Sequence, residues 1–416
     1  MARASTVTTR DTARASTATT RGTAKASTAT TRARTTDDDG ADIDESRERD
    51  QNGIAGIDRR GCPSESSPIR TAFRRQATLC RDLGSGFTAK LLDLLADRLR
   101  LDTEVGDAIL NWRGNPVDDA LALRLVAALH ALALDDRSSD LIDAYPPNPA
   151  VEDDKLWQAV EHALNDRSKT VIRFIQHPPQ TNEVARSAAL AGGFLSIAAS
   201  TSRPLAIFEI GASAGLNLHW DKFGYDLGGL GIRTTTGLPL LQPAWEGPSP
   251  PAADITVVER AGCDRTPIDI RSPAELLRLR AYIWPDQPDR RARMDQAIQV
   301  ARSSAVRVES ADAAAWTEAR LSPRRDGIAT VLVHSIVWQY LGENSQERLR
   351  RTIDQAGRRA DASAPFAWLR MEPETPAAAA LRLTLWPGGD TMFLADVDYH
   401  GRWVRWRTEA KTPRSS

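Results

Sequence analysis

The stretch Leu205-Ala-Ile-Phe-Glu-Ile-Gly-Ala-Ser-Ala-Gly215 decides the fold of this chain. A short apolar run contains one acidic residue, Glu209, and passes directly into a glycine-containing loop at 211–215. Glycine lets the backbone turn sharply and approach a ligand closely because it has no Cβ. A helix beginning near Leu216 would present unpaired N–H groups and the positive end of its dipole. The stretch therefore predicts a strand, a cofactor-binding loop and a helix in succession.

Downstream of this loop, short apolar runs alternate with helical patterns. The candidate strands are residues 255–258, 306–309, 328–333 and 366–371. The helical patterns are residues 273–282, 290–303 and 346–359. Continuously apolar strands suit a parallel sheet that helices cover on both faces. This alternation predicts a doubly wound α/β sheet over residues 201–407.

The end of that region has a different pattern. Residues 381–386, a Pro-Gly-Gly-Asp turn at 387–390 and residues 392–397 indicate an antiparallel hairpin. Residues 403–406 either add a short strand or close the edge of the sheet.

The region before the first strand, residues 68–200, has a helical pattern throughout. Leu121, Leu125 and Leu129 recur at helical spacing, and two proline pairs divide the region into groups of helices. We expect an all-helical cap domain there, with no strand.

The two ends of the chain predict no packed structure. An 11-residue unit begins at Ala2, Ala13 and Ala24 and contains almost no large apolar side chains. Such a segment cannot bury enough surface to offset its chain entropy. We expect disordered tails at residues 1–67 and 408–416.

The composition narrows the function classes. The chain has 416 residues, 41% of them hydrophobic, and a net charge of −1, which gives no general attraction to nucleic acid or to an anionic membrane. Its three cysteines are widely spaced and form no CxxC pair, so we expect a reducing, cytoplasmic location, no disulfide framework and no metal site. No run approaches the roughly 18 apolar residues of a membrane span. The sequence gives no indication of oligomeric state.

The glycine loop resembles the first motif of class I S-adenosylmethionine-dependent methyltransferases, in which an acid precedes a GxGxG-like loop. Those enzymes also alternate strands and helices and end in an antiparallel hairpin. The resemblance implies a Rossmann-like, methyltransferase-type domain with S-adenosylmethionine as its cofactor. The residues that it assigns to the cofactor are Glu209, Gly211, Ser213, Gly215, Asn217, Glu259 and Asp312.

Two of these assignments concern the adenosine. The resemblance implies that Glu259, at the end of the second candidate strand, binds the ribose hydroxyls and that Asp312 contacts the adenine amino group. Two features depart from the family pattern: Ser213 replaces the middle glycine, and Glu259 lies 44 residues beyond Gly215, where about 20 is usual in a related fold. A loop insertion at 224–253 would explain the longer spacing.

A second resemblance covers most of residues 70–406. The sequence is similar to an uncharacterised bacterial family, domain of unknown function 2332. The similar stretches are HPPQTNE at 177–183, EIGASAGLNLHWD at 209–221, GCD at 262–264, YIWPD at 282–286, HSIVWQY at 334–340, WLRME at 368–372 and LWPGG at 385–389. That family name carries no activity, so this resemblance predicts the fold better than the function.

Further candidate residues follow from position. His334 comes after the fourth candidate strand, at the carboxyl edge where ligands bind in open α/β sheets, and is our candidate general base. The residues assigned to the substrate are Gln180, Thr181, Asn182, Glu183, Ser335, Trp338 and Tyr340. Each assignment has a structural alternative: a strand cap for His334, a helix cap for residues 181–183, and core packing for the two aromatics. We expect a small-molecule substrate, because the folded part has no basic stripe with interleaved aromatics.

Two other function classes stay open. Residues 211–215 also match GxSxG, the nucleophile elbow of α/β-hydrolases, with His400 and Asp396 or Asp398 downstream of Ser213. The helical region before the loop disfavours this alternative, because hydrolase sheets place several strands before the elbow. A non-catalytic binding protein of the methyltransferase fold is the third class.

Overall fold

The computed structural model describes residues 67–135, 138–232 and 238–407. These residues all fall within one compact unit. The tails predicted at 1–67 and 408–416 lie outside the described residues, apart from Ser67.

The region before the first strand is helical, as predicted, and no strand forms among its described residues. Its helices are α1 Pro68–Asp82, α2 Gly86–Arg98, α3 Glu104–Leu110, α4 Leu121–Leu134, α5 Ser139–Ala144, α6 Asp153–Asp166, α7 Ser168–Ile175 and α8 Ser187–Thr201. The side chains of Ser85 and Thr103 cap α2 and α3 by accepting from Thr88 N and Gly106 N. The leucines of α2 and α4 are buried together in one core.

The remainder of the described chain is mixed α/β. Its strands are β1 Leu205–Ile210, β2 Gly224–Leu227, β3 Leu230–Ile232, β4 Leu240–Leu241, β5 Ala244–Glu246, β6 Val257–Asp264, β7 Val308–Ser310, β8 Ala329–Ser335, β9 Phe366–Thr375, β10 Ala378–Trp386, β11 Asp390–Val397 and β12 Trp403–Trp406. Its helices are α9 Pro273–Ala281, α10 Pro288–Arg302, α11 Ala313–Leu321 and α12 Glu343–Arg359.

The described strands form a large, mostly parallel sheet. Nine strands pair in the order β5-β12-β11-β10-β9-β8-β1-β6-β7. Strands β7, β6, β1, β8 and β9 are mutually parallel, whereas β9 to β12 form an antiparallel meander. The chain runs from β1 to β6 and β7 on one side and then returns to β8 on the other. This reversal of direction opens a crevice beyond the carboxyl ends of β1 and β8.

Helices cover both faces of this sheet. Residues of β1 alternate between two cores: Ile207 packs with α8 and α10, and Phe208 packs with α11 and α12. All six residues of β1 are buried. The continuous apolar run of β1 thus follows from its central position between two helical layers.

Three details of the α/β region differ from the sequence expectations. Strand β6 runs to Asp264 rather than ending near Val258, because its later residues stay in register with β1, with Gly262 opposite Glu209. The segment after the glycine loop forms a 3-10 helix, Leu216–Lys222, instead of an α-helix. The inserted segment forms a small sheet, β3-β2-β4, and contributes β5 to the edge of the main sheet.

The helices before β1 are anchored to the segment that follows α9. Asp286 accepts hydrogen bonds from the Ser85 hydroxyl at 2.5 Å and from Phe87 N at 3.0 Å. His130 Nδ1 donates to the carbonyl oxygen of Ala281 at 3.1 Å. These contacts hold the helical layer above the carboxyl edge of the parallel strands. None of the helices within the described ranges combines the length and the apolarity that crossing a bilayer requires.

Candidate functional site

A cavity of about 1180 Å³ lies between the helical layer and the carboxyl edge of the sheet. The residues assigned from sequence that line it are Gln180, Thr181, Asn182, Glu183, Glu209, Gly211, Ser213, Asp312, Ser335 and Tyr340. The assigned residues outside its lining are Gly215, Asn217, Glu259, His334 and Trp338. Ten of the fifteen assigned residues thus line the cavity, and five lie outside its lining.

The glycine loop has left-handed backbone at three positions. The φ angles of Gly211, Ser213 and Gly215 are +66°, +53° and +71°. A Cβ at Gly211 would collide with Val337, and a Cβ at Gly215 would collide with Val308. The glycines thus permit close packing of the loop by neighbouring side chains, and only the 211–213 part of the loop also faces the cavity.

Glu209 places a buried carboxyl at this loop. Glu209 is 4% exposed, and its Oε2 atom has no hydrogen-bond partner among the described residues. Burial, with a smaller contribution from the nearby Asp264 carboxylate, raises the pKa of Glu209 to about 8. A cationic group in the cavity would favour the ionised form, since an opposite charge lowers the pKa of an acid.

Asp264 ends β6 beside the loop. Its carboxylate accepts from Ser213 N at 3.0 Å, from Thr266 N at 2.9 Å and from the Gln180 side chain at 3.4 Å. Each carboxylate oxygen can accept at two lone pairs, so acceptor capacity remains for a ligand.

Glu259, which was predicted to bind the ribose, does not line the cavity. Glu259 lies five residues before the end of β6 and pairs with Arg325 at 3.0 Å, outside the cavity lining. Because β6 extends further than its apolar run indicates, Asp264 occupies the carboxyl end where a ribose-binding acid was expected.

Asp312 lies where the sequence placed it, at the start of the helix after β7. Its Oδ1 caps α11 by accepting from Ala314 N at 3.1 Å and Ala315 N at 3.0 Å. Its other oxygen makes no hydrogen bond within the described part of the chain. Asp312 is thus both a helix cap and a cavity wall.

Residues 180–183 are also both structural and cavity-lining. Asn182 Oδ1 accepts from Leu216 N at 2.9 Å, just beyond the glycine loop. The Glu183 side chain caps the following turn through Ala185 N at 3.2 Å. Asn217 is buried behind this wall, where it bonds Ser187 and the carbonyl of Glu183. Its predicted contact with a cofactor is therefore not available in this arrangement.

His334 occupies a position that excludes direct contact with a ligand in the cavity. It is 0% exposed, its Nδ1 lies 2.6 Å from Glu372 Oε1, and its Nε2 accepts from Trp368 Nε1 at 3.0 Å. Since Nε2 is an acceptor, Nδ1 carries the proton and donates to Glu372. Trp338 stacks on the ring at 5.4 Å between centroids. We therefore correct both predicted roles: His334 has no free nitrogen to act as a base, and Trp338 packs on His334 rather than facing a substrate.

The cavity is also lined by two arginines that the sequence analysis did not select, Arg186 and Arg290. Arg290 donates from Nε and Nη2 to Glu183 Oε2 at 2.9 and 2.6 Å. Burial opposes ionisation of Glu183, but Arg290, His400 and Arg186 together keep its pKa below the ordinary value. Arg186 donates from Nε to the Tyr399 carbonyl at 2.9 Å. These residues come from distant segments, and no local motif indicates that they meet.

The family model for an uncharacterized protein conserved in bacteria (DUF2332) matches residues 70–406. The chain belongs to this family. No curated protein and no solved structure matches the chain significantly. The matched region contains the whole cavity, so the charged groups at both of its ends lie in the family's domain.

In this DUF2332 protein the groups of a hydrolase triad are not assembled. Ser213 Oγ has no hydrogen-bond partner within the described ranges. Asp398 is held by Arg402 and by backbone N–H groups, and Asp396 pairs with Arg407. The loop also follows β1, the first strand of the described chain, rather than several earlier strands.

Proposed function

We propose that this protein binds S-adenosylmethionine at the carboxyl end of β1 and transfers its methyl group to a small molecule. One observation carries the proposal. Three acidic residues, Glu209, Asp264 and Asp312, lie at or just beyond the carboxyl ends of the neighbouring parallel strands β1, β6 and β7, beside the point where the strand order reverses, and all three line one cavity. Rossmann-like sheets bind adenosine-containing cofactors at such a reversal.

The three acids fit the polar groups of that cofactor. The free oxygen of buried Glu209 suits the amino group of the methionine part, because a cation there would compensate an ionised carboxylate in a low-dielectric site. Asp264 has one lone pair left, on Oδ2, for a ribose hydroxyl. The second oxygen of Asp312 is available to the adenine amino group. Val337 covers Gly211, so the ligand would lie on the Ser213–Asp264 side of the loop.

The bound cofactor would supply an electrophilic methyl group for direct transfer. The contribution of the chain would be to hold the acceptor in line and to exclude water beneath the helical layer. His334 would act at a distance, because its bond to Glu372 positions a carboxylate that accepts from Val337 N at 3.0 Å. We assign no proton transfer to His334, since both of its ring nitrogens are hydrogen-bonded.

Calorimetric titration with S-adenosylhomocysteine tests this proposal. We expect saturable binding to the wild type and a loss of about tenfold or more in Asp264→Asn, since the amide NH₂ would face the Ser213 N–H and cannot replace both acceptor oxygens. Glu259→Gln is the matched control, because Glu259 is an acid of the same strand that lies outside the cavity. The affinity of this variant for S-adenosylhomocysteine should equal that of the wild type.

Three results would change the conclusion. No binding at millimolar cofactor would remove the methyltransferase proposal. Loss of affinity in Glu259→Gln but not in Asp264→Asn would overturn the assignment of the ribose acid. Cofactor binding without methylation of any acceptor tried would favour a non-catalytic binding protein.

A further inference from the structure

A second group of polar side chains lines the cavity. We define the Arg186 group as Arg186, Glu183, Arg290, His400 and Trp284, all of which line the cavity. His400 follows β11, on the β8–β11 side of the strand-order reversal, whereas Glu209, Asp264 and Asp312 lie at or just beyond the carboxyl ends of β1, β6 and β7. The other members of the group come from the turn before α8 and from the α9–α10 segment.

Arg186 is the incompletely bonded member of this group. Its Nε donates to the Tyr399 carbonyl at 2.9 Å, and neither Nη1 nor Nη2 has an acceptor within the described part of the chain. A guanidinium has five N–H donors, so most of its donor capacity is unused. Burial lowers the pKa of Arg186, and the nearby Glu183 and Glu372 oppose that effect.

Neither neighbouring carboxylate uses these donors. Glu183 Oε2 accepts two bonds from Arg290, and its Oε1 accepts from Ala185 N. Glu372 accepts from His334 and from the backbone of Val337 and Trp338. Both acids contribute to the field around Arg186, but their oxygens are directed to other donors.

Two further features favour a small planar anion. His400 Nδ1 is buried without a partner in the described ranges, so a second polar atom near Arg186 lacks a hydrogen bond. The Trp284 indole packs edge-on against the His400 ring at 5.5 Å, and Arg290 lies over the same indole at 5.7 Å. The Arg186 group thus combines an apolar wall with unused donors.

We propose that the Arg186 group is the subsite for a carboxylate of the substrate, so that the methyl acceptor is a small organic acid. A carboxylate matches the paired Nη donors of a guanidinium in a bidentate geometry. Within the Arg186 group, Arg290 is committed to Glu183, so the guanidinium end of Arg186 remains, which suits a single carboxylate. The methyl-acceptor part of this inference rests on the proposed function, whereas binding of an acid at Arg186 does not.

The test uses the full-length protein and a panel of monocarboxylic acids, from acetate to benzoate and phenylacetate, each paired with its neutral amide. Binding is followed by ligand-observed NMR and calorimetry, with and without S-adenosylhomocysteine. We expect at least one acid to bind saturably while its amide does not. Arg186→Gln should weaken that binding by about tenfold or more. Arg186→Lys should retain part of the binding, because lysine keeps the positive charge but cannot donate two parallel hydrogen bonds.

The controls separate this inference from the proposed function. Asp264→Asn should lose the cofactor but keep the acid, and Arg186→Gln should keep the cofactor. Arg173→Gln, at an exposed position of α7, should change neither affinity. If no acid binds, or if both Arg186 variants with a wild-type melting temperature bind it undiminished, the carboxylate subsite is wrong. An acid that binds through Arg186 to a protein that never binds cofactor would support the subsite and overturn methyl transfer.

Discussion

The two ends of the cavity are built in different ways. At the β1–β7 end, acids stand at strand ends and are fixed by backbone N–H groups of the loop and of a helix start. At the β8–β11 end, side chains from distant segments hold one another, as Arg290 holds Glu183 and Glu372 holds His334. We therefore expect the largest stability losses from substitutions in the buried pairs of the second end.

The largest loss of folding stability is expected when the Arg290–Glu183 pair is broken, because its side chains are only 13% and 7% exposed. Arg290→Met should lower the free energy of unfolding by about 3 kcal/mol, because it leaves a buried carboxylate without its main partner. Urea unfolding measures this change. Arg351→Met, in an exposed pair with Glu347, should cost less than about 1 kcal/mol. Equal small losses in both variants would show that the β8–β11 end does not depend on its buried pair.

A smaller loss of folding stability is expected when His334 is replaced. His334→Ala should cost about 2–3 kcal/mol, because Glu372 loses a buried donor and Trp338 loses its stacking partner. His162→Ala removes an exposed histidine paired with Asp140 and should be nearly neutral. Unfolding midpoints of the two variants give the comparison. A His334→Ala protein as stable as the wild type would contradict this account of the buried His334–Glu372–Trp338 contacts.

The third prediction is a dependence of stability on pH at the β1–β7 end. Glu209 has a folded-state pKa of about 8 against an ordinary 4.5, so the folded state holds this proton more tightly than the unfolded chain does. Its contribution to stability is present below pH 4.5 and is lost as pH rises towards 8. Glu209→Gln cannot ionise, so its stability advantage over the wild type should grow from pH 5 to pH 8. Parallel stability curves would contradict a buried, proton-bearing Glu209.

These contrasts also show what the sequence could predict. The β1 run, the glycine loop and the alternation that follows are local patterns, and they predicted the parallel strands. The amide and acid groups at 180–183 are a separate local pattern, and they line the cavity. The end of β6 was missed because Gly262 and Cys263 are not typical strand residues; their pairing with β1 keeps them in the sheet. That extension moves the strand-end acid from Glu259 to Asp264.

The β8–β11 end was beyond sequence reasoning for a different reason. Arg186 meets Tyr399 across 213 positions, and Glu183 meets Arg290 across 107. Such contacts depend on how α8, α10 and the strand ends pack together. Likewise, the position of His334 after a strand indicated the correct edge of the sheet, but its burial depends on Trp338 and Trp368.

Hydrogen–deuterium exchange with and without S-adenosylhomocysteine is the most direct test of where a cofactor lies. The account predicts slower exchange in peptides covering 209–218 and 262–268 when the compound is added, with no change at 395–402. No protection at 209–218 and 262–268, or protection confined to 395–402, would contradict a cofactor site at the end of β1.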